Sequence, residues 1–484
     1  MSSSNGSELI FDKTMPGRRA IALDDLDVPE AIMPEEFRRG ADAELPEAAE
    51  IDIVRHFTNL SRKNFGIDTH FYPLGSCSMK YNPKVAEDVA KIPGFCNLHP
   101  HLSSAECYND SIQGALELIH TTENWLAEIA GMEAVTLQPI AGAHGELTGT
   151  LLMAAYHRAK GNTKKDTIII PDSAHGTNPA SAAIAGFKVK EVPTTKTGIL
   201  ELEDFKAAMD ENVAGVMLTC PNTHGLFEED ISQIAEVAHD ADALLYYDGA
   251  NLNAIMGYCR PGDLGFDVMH YNLHKTFATP HGMGGPGCGP VGVGKRLAEF
   301  IPGPRVVEKD GRYDMEWPPN SIGRMAMFFG NFMMAVRAYA YMRHLGGEGL
   351  KEVSEYAVTN ANYIYARLKE HYKPAFNKRF MHESVFTAGP QTKNDVHALD
   401  IAKNLLDYGF HAPTVYFPLT VKESMMIEPT ETESKETLDA FCEAMIDIAK
   451  RAEAGDETLH DAPTTMPVGR LDEVHAARQL NCAC

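Results

Sequence analysis

The chain has 484 residues, 44% of them hydrophobic and 23% charged, with a formal net charge of −24 at pH 7. That length supports two or three packed domains, and so acidic a balance leaves no broad basic field for nucleic acid or an anionic membrane surface. No run approaches eighteen apolar residues, so no membrane span is expected; the opening MSSSNGSELIFDKTMPGRRA has no signal core, and nine scattered cysteines read as reduced thiols of a cytoplasmic protein.

Residues 1 to about 50 are polar, acidic and proline-bearing, and read as an extended arm. A helical pattern starts near Ile51, after which FYPLGSCSMKYNP, Phe71 to Pro83, is dense in turn formers. Ile112, Leu116, Ile119, Leu126 and Ile129 recur at helical spacing over 111–130. Strand candidates then fall at 133–138, 167–171, 188–193, 213–219 and 243–248, with helix candidates at 145–159, 202–209 and 231–240 between them. Such alternation predicts an α/β fold with a mostly parallel sheet covered on both faces, and ligands at the carboxyl ends of its strands. A glycine-rich loop, HGMGGPGCGP, follows at 281–290, and long helices are expected over 330–370. Strand candidates at ESVFTA and TVYFP belong to a smaller α+β portion. The expected domains are an arm and helix over 1–75, a large domain over 76–335, and a small C-terminal domain with its tail over 336–484.

Lys275 stands out in YNLHKTFATPHGMGGPGCGP, next to His274 and before the glycine-rich loop. A lysine so placed supplies the amine for a Schiff base with an aldehyde cofactor. Asp248 ends the apolar run ALLYYD, where a carboxylate is poorly placed unless it meets a cation. The pyridinium nitrogen of pyridoxal 5'-phosphate (PLP) is such a cation, and the carboxylate keeps it protonated. In PDSAHGTNPASA, His175 follows a strand and is suited to stacking on the cofactor ring. In QPIAGAHGELTG, the backbone N–H groups of Gly142, Ala143 and His144 open a helix and suit a phosphate. Cys482 and Cys484 form a CxC tail, but two thiols do not make a metal site, and no metal is expected.

Together, FYPLGSCSMKYNPK, LQPIAGAHGELTG, PDSAHGTNPASA, LYYDGANLNAI, NLHKTFATPHGMGGPGCGP and MIEPTETESKE resemble, in order from about residue 15 to 455, the glycine decarboxylase P-protein of the glycine cleavage system. The similarity is greatest to the second subunit of its two-chain form. Ser78 stands where the family usually has threonine, and HPHLSSAECYND is not the common family wording. The resemblance implies a PLP-dependent, aspartate-aminotransferase-like large domain (fold type I). It also implies that glycine displaces Lys275 from the cofactor and loses carbon dioxide, and that the aminomethyl group passes to the lipoyl arm of H-protein. It further implies a homologous first subunit, with two copies of each chain. His274 would position the lysine or the phosphate, Thr219 would reach the ring hydroxyl, and Ser76, Ser78 and Lys80 would lie at the mouth of the site near glycine. Two other readings stay open: another fold-type I enzyme, such as an aminotransferase or amino-acid decarboxylase, or a catalytically silent scaffold subunit.

Overall fold

The computed structural model describes residues 9–29, 31–41, 43–100, 102, 109–194, 197–281 and 287–479. The interior of the glycine-rich loop, most of 99–110, and Cys482 and Cys484 therefore lie outside the described residues.

The chain forms two compact units, one built from residues up to Gly66 with those from Pro463, the other spanning Ile67–Ala462. In the first, the arm is extended apart from single 3-10 turns at Ile10–Lys13 and Glu35–Phe37, and it leads into helix α1, Glu50–Ser61. Leu23, Leu26, Ile32 and Phe37 of the arm and Leu471 and Val474 of the tail are exposed.

The second unit opens with two short helices, α2 (Lys84–Ala90) and α3 (Pro93–Cys96), and the long α4, Asn109–Ala130. Then β1 (Ala134–Thr136), α5 (Gly142–Ala159), β2 (Thr167–Pro171), α6 (Thr177–Ile184), β3 (Lys188–Val192), α7 (Leu202–Ala208), β4 (Val213–Thr219), α8 (Ile231–Asp240), β5 (Leu244–Gly249), β6 (Val268–Tyr271), α9 (Leu273–Thr276) and β7 (Val291–Val293) follow. The seven strands form one sheet in the order β1-β7-β6-β5-β4-β2-β3, in which only β7 runs antiparallel to its neighbours. The centre is apolar because both faces are covered: every residue of β4 and β5 is buried. Strands β6 and β7, absent from the sequence reading, have four and three residues, too few to show a period.

A hairpin, β8 (Arg305–Lys309) and β9 (Arg312–Glu316), precedes α10, Phe332–Leu368. Helix α10 bends at Gly346, whose φ is +64°. Its first half packs Met334, Ala338 and Met342 into the core of the large sheet. Its second half puts Ile364 and Leu368 into a separate core with Phe386, Phe441 and Ile448. That core lies under the antiparallel sheet β10 (Lys373–Pro374), β11 (Ser384–Thr387), β12 (Thr414–Val415) and β13 (Ser424–Ile427), with α11 (Ala398–Asp407) and α12 (Lys435–Glu453). One helix thus runs through the expected boundary at 335/336. The arm's unit ends at Gly66 rather than near 75 because the following loop is tied into the body, where Leu74 bridges Ile427 of β13. Among the described residues no helix is long and apolar enough to cross a membrane.

Candidate active site

A cavity of about 500 Å³ opens where the central strands end. In-register pairing builds its floor: Thr219, the last residue of β4, lies beside Asp248 of β5, which lies beside His270 of β6. Two residues past β6, the single turn α9 carries His274 and Lys275 to the same place.

Lys275 is half-buried, and its Nζ donates to the carbonyl of Ser76 at 2.8 Å. Asp248 is buried and held as an anion. Its Oδ1 accepts from the Ala250 N–H at 3.0 Å, and its Oδ2 accepts from Asn178 Nδ2 at 3.2 Å. Burial pushes its pKa up, but His270, the Ala250 N–H, Lys275 and Asn178 outweigh that and leave it below the usual value. Thr219 lines the wall with its Oγ1 free of hydrogen bonds.

The opposite side is the N-terminus of α5. Ala141 precedes it with no side-chain cap, so the first N–H groups of this 18-residue helix stay available beside the cavity at Gly142 and Ala143. A Cβ on Gly142 would fall 2.4 Å from Asn272 Oδ1, so glycine is needed for this approach. The His144 side chain turns back to accept from the Ile140 N–H at 3.3 Å, so it does not line the cavity. His175 stands exposed at the cavity's edge, edge-on to Phe417 with ring centres 6.0 Å apart. Its Nδ1 accepts from the Thr177 N–H at 3.3 Å, which leaves Nε2 to carry the proton. Desolvation and the Lys275 charge lower its pKa. His274 is pushed down to about 3 by burial, then by Lys275, His281 and His270, and is neutral at pH 7.

The loop reading needs correcting. Ser76 lines the cavity, but Ser78 and Lys80 do not. Ser78 donates through its hydroxyl and its N–H to Glu428, and Lys80 Nζ is spent on Glu431 at 2.8 Å and Asn253 Oδ1 at 2.6 Å. Both side chains are taken up by acids inside the protein, away from the cavity lining.

Of the wall residues that were not anticipated, three bear most on the chemistry: Glu146, His270 and Asn272. Glu146, one turn into α5, is buried with Oε2 unpartnered; burial, then Asp248, push its pKa up to about 8 against Thr177 and Lys275. His270 meets the Tyr246 hydroxyl at 2.7 Å through Nδ1, and through Nε2 it stands 2.8 Å from Asn272 Nδ2 and 3.4 Å from Asp248. Burial drives it down to about 4, against Asp248 and with Lys275. Only the register of β5 against β6 brings His270 and Asn272 here. Glu146 sat inside a recognised motif, four residues past Gly142, on the same helix face.

Comparison with known proteins follows the same lines. Residues 18–312 match the family described as Glycine cleavage system P-protein, and residues 353–466 match Glycine dehydrogenase, C-terminal domain. The chain is 55% identical over 98% of its length, and 97% of the relative's, to the probable glycine dehydrogenase (decarboxylating) subunit 2 of Caldanaerobacter subterraneus subsp. tengcongensis. To the probable subunit 2 of Bacillus licheniformis it is 53% identical, covering 99% and 98% of the two chains. In structure it is similar to an inhibitor-bound glycine decarboxylase (P-protein), with TM-score 0.70, 22% identity, and 86% and 93% of the two chains covered. It also resembles an aspartate aminotransferase of Thermus thermophilus, with TM-score 0.57, 15% identity, and 79% and 99% covered. At these identities the two structures speak for a shared fold.

Proposed function

This chain belongs to the P-protein family of the glycine cleavage system, and from that premise we propose that it is the lysine-bearing subunit of a PLP-dependent glycine dehydrogenase (decarboxylating). The observation that carries the reading is the one cavity lined by Lys275, Asp248 and the uncapped start of α5. These are an amine, a buried carboxylate and a helix N-terminus, the three groups that a phosphorylated pyridine aldehyde requires.

The cavity fits that cofactor on its own chemistry. Thr219 Oγ1 has no hydrogen-bond partner within the protein, and Gly142 and Ala143 line the cavity at the uncapped helix end. Lys275 would hold the aldehyde carbon, Asp248 the ring nitrogen, Thr219 the ring hydroxyl, and the N–H groups of Gly142, Ala143 and His144 the phosphate. When bound, PLP supplies the sink for the electrons of glycine's breaking Cα–carboxylate bond.

The residues of this chain set the conditions for that step. Asp248, kept anionic by the Ala250 and Asn178 donors, holds the proton on the ring nitrogen. His175, neutral and with Nδ1 fixed by Thr177, offers its ring as a stacking face and its Nε2–H as a donor. Ser76 holds the Lys275 amine through its carbonyl until substrate arrives. Neutral His274 adds no positive charge that would compete with Lys275 for Asp248.

The wider assembly is part of the same reading: a homologous first subunit, two copies of each chain, and the lipoyl arm of H-protein as acceptor of the aminomethyl group. The relatives named subunit 2 support a two-chain enzyme. Six described cysteines, all free, suit a cytoplasmic setting. The decisive experiment is glycine-dependent exchange of labelled carbon dioxide by the chain with its first subunit and lipoylated H-protein, followed by borohydride reduction and peptide mass spectrometry. We expect exchange and a phosphopyridoxyl group on Lys275, both lost in Lys275→Ala. A label on any other lysine, or no glycine-dependent exchange, overturns the proposal.

A further inference from the structure

Behind the Lys275 loop lies a second cluster of chemistry-bearing side chains. His382 and Glu383 immediately precede β11, and Glu428 immediately follows β13. The antiparallel register that pairs Ser384 with Ile427 brings these strand ends together. All three residues have zero exposure, and one ligand atom from each lies within 4.8 Å of the other two.

Their hydrogen bonds are divided in a particular way. Glu383 Oε2 accepts from the Ser76 N–H at 2.7 Å, while its Oε1 has no partner. Glu428 Oε2 accepts from the Ser78 N–H at 2.9 Å, and its Oε1 takes the Ser78 hydroxyl. Neither ring nitrogen of His382 has a hydrogen-bond partner, although Nε2 stands 3.8 Å from Glu428 Oε1. A fully buried imidazole with both nitrogens unsatisfied is costly, and so is a free carboxylate oxygen beside it. Each carboxylate is anchored by backbone at one oxygen, as outer-shell donors orient metal ligands; the other is unpartnered in Glu383 and takes the Ser78 hydroxyl in Glu428.

We propose that His382, Glu383 and Glu428 form a divalent-cation site, taking Zn²⁺ or Mn²⁺ through one imidazole nitrogen and two carboxylate oxygens. The ion's two positive charges balance the two carboxylates, and one nitrogen with two oxygens is a donor set that suits either metal. Ligand atoms around a tetrahedral zinc, at roughly 2.0–2.2 Å from the metal, sit about 3.3–3.6 Å apart. The cluster therefore closes by about 1 Å of side-chain rotation. The ion's role is positional. Glu383 and Glu428 grip Ser76 and Ser78, whose φ values of +64° and +45° are unusual for residues other than glycine, and the Ser76 carbonyl holds Lys275. A cation there locks the strained loop under the lysine.

The test uses the full-length chain. After dialysis, with and without added Zn²⁺ or Mn²⁺, bound metal is counted by mass spectrometry and the thermal midpoint is recorded. About one ion per chain is expected, with a rise of several degrees in midpoint, as binding to the folded state alone requires. Glu383→Gln keeps the acceptor for the Ser76 N–H but is a poor ligand, and should weaken metal binding at least about tenfold. Glu428→Gln should do the same, whereas replacing Cys482 and Cys484 by serine should leave binding unchanged. No bound ion at excess metal, parent-like binding by Glu383→Gln, or loss of binding in the cysteine variant would each overturn the site.

Discussion

At the scale of single residues, two carboxyls lining the same cavity do opposite things because their partners differ. Asp248 has donors on both oxygens and stays charged, whereas Glu146 has an unpartnered oxygen and a charged neighbour, and stays neutral until about pH 8. Asp248→Asn should still fold and bind PLP but lose on the order of 10²–10³ in kcat, the scale of other preorganised electrostatic groups. Steady-state carbon dioxide exchange checks it, and a rate within a few-fold of the parent refutes the role. For Glu146 the sign follows from its raised pKa. Below about pH 8 it is neutral, and above that a second negative charge appears beside Asp248. Cofactor retention in the parent should therefore fall as pH rises past about 8, while Glu146→Gln, which cannot ionise, should hold it flat. Absorbance of the bound cofactor across pH 7–10 measures both; identical profiles would remove Glu146 from the account.

At the scale of elements, the site exists because parallel strands end in step and a helix points its N-terminus at the same spot. Gly142 is where these meet. Alanine there has the better helix propensity, by up to about 1 kcal/mol, so an isolated helix would favour it. The added Cβ, however, would fall 2.4 Å from Asn272 Oδ1, and Asn272 is buried with its Nδ2 on His270. Packing opposes propensity here, because Asn272 would have to swing toward the cavity that it lines. Gly142→Ala should leave the thermal midpoint within a few degrees, yet weaken PLP binding by about tenfold, or 1.4 kcal/mol. Fluorescence titration of the cofactor is the measurement, and unchanged affinity would show that the helix start does not seat the phosphate.

On the scale of the whole molecule, the arm and tail stand apart in composition and burial from Ile67–Ala462. Leu23, Leu26, Ile32 and Phe37 are each at least 70% exposed, apolar groups that the proposed first subunit would cover. The chain alone should show little glycine decarboxylation, and adding the first subunit should restore it. Removing residues 1–46 should leave PLP binding to Lys275 intact but abolish association with the first subunit in sedimentation velocity. Full association by the truncated chain would rule out the arm as the contact.

Much of this was legible from residue order. The strands at 167–171 and 213–219 and the helix at 231–240 appear with the bounds read from periodicity. Lys275, Asp248, His175 and Thr219, picked from motifs at strand ends, line one cavity. Such features are legible because a buried strand writes its own apolar run and a strand end has a fixed place in a parallel sheet. Other features had no local signature. His270 and Asn272 reach the site only through the register of β5 with β6, and Ser78 and Lys80 turn inward to buried Glu428 and half-buried Glu431. The cluster of His382, Glu383 and Glu428 joins residues some 45 positions apart. Periodicity is local, whereas register, the direction of a side chain and the partner of a buried charge are settled only when distant segments pack together.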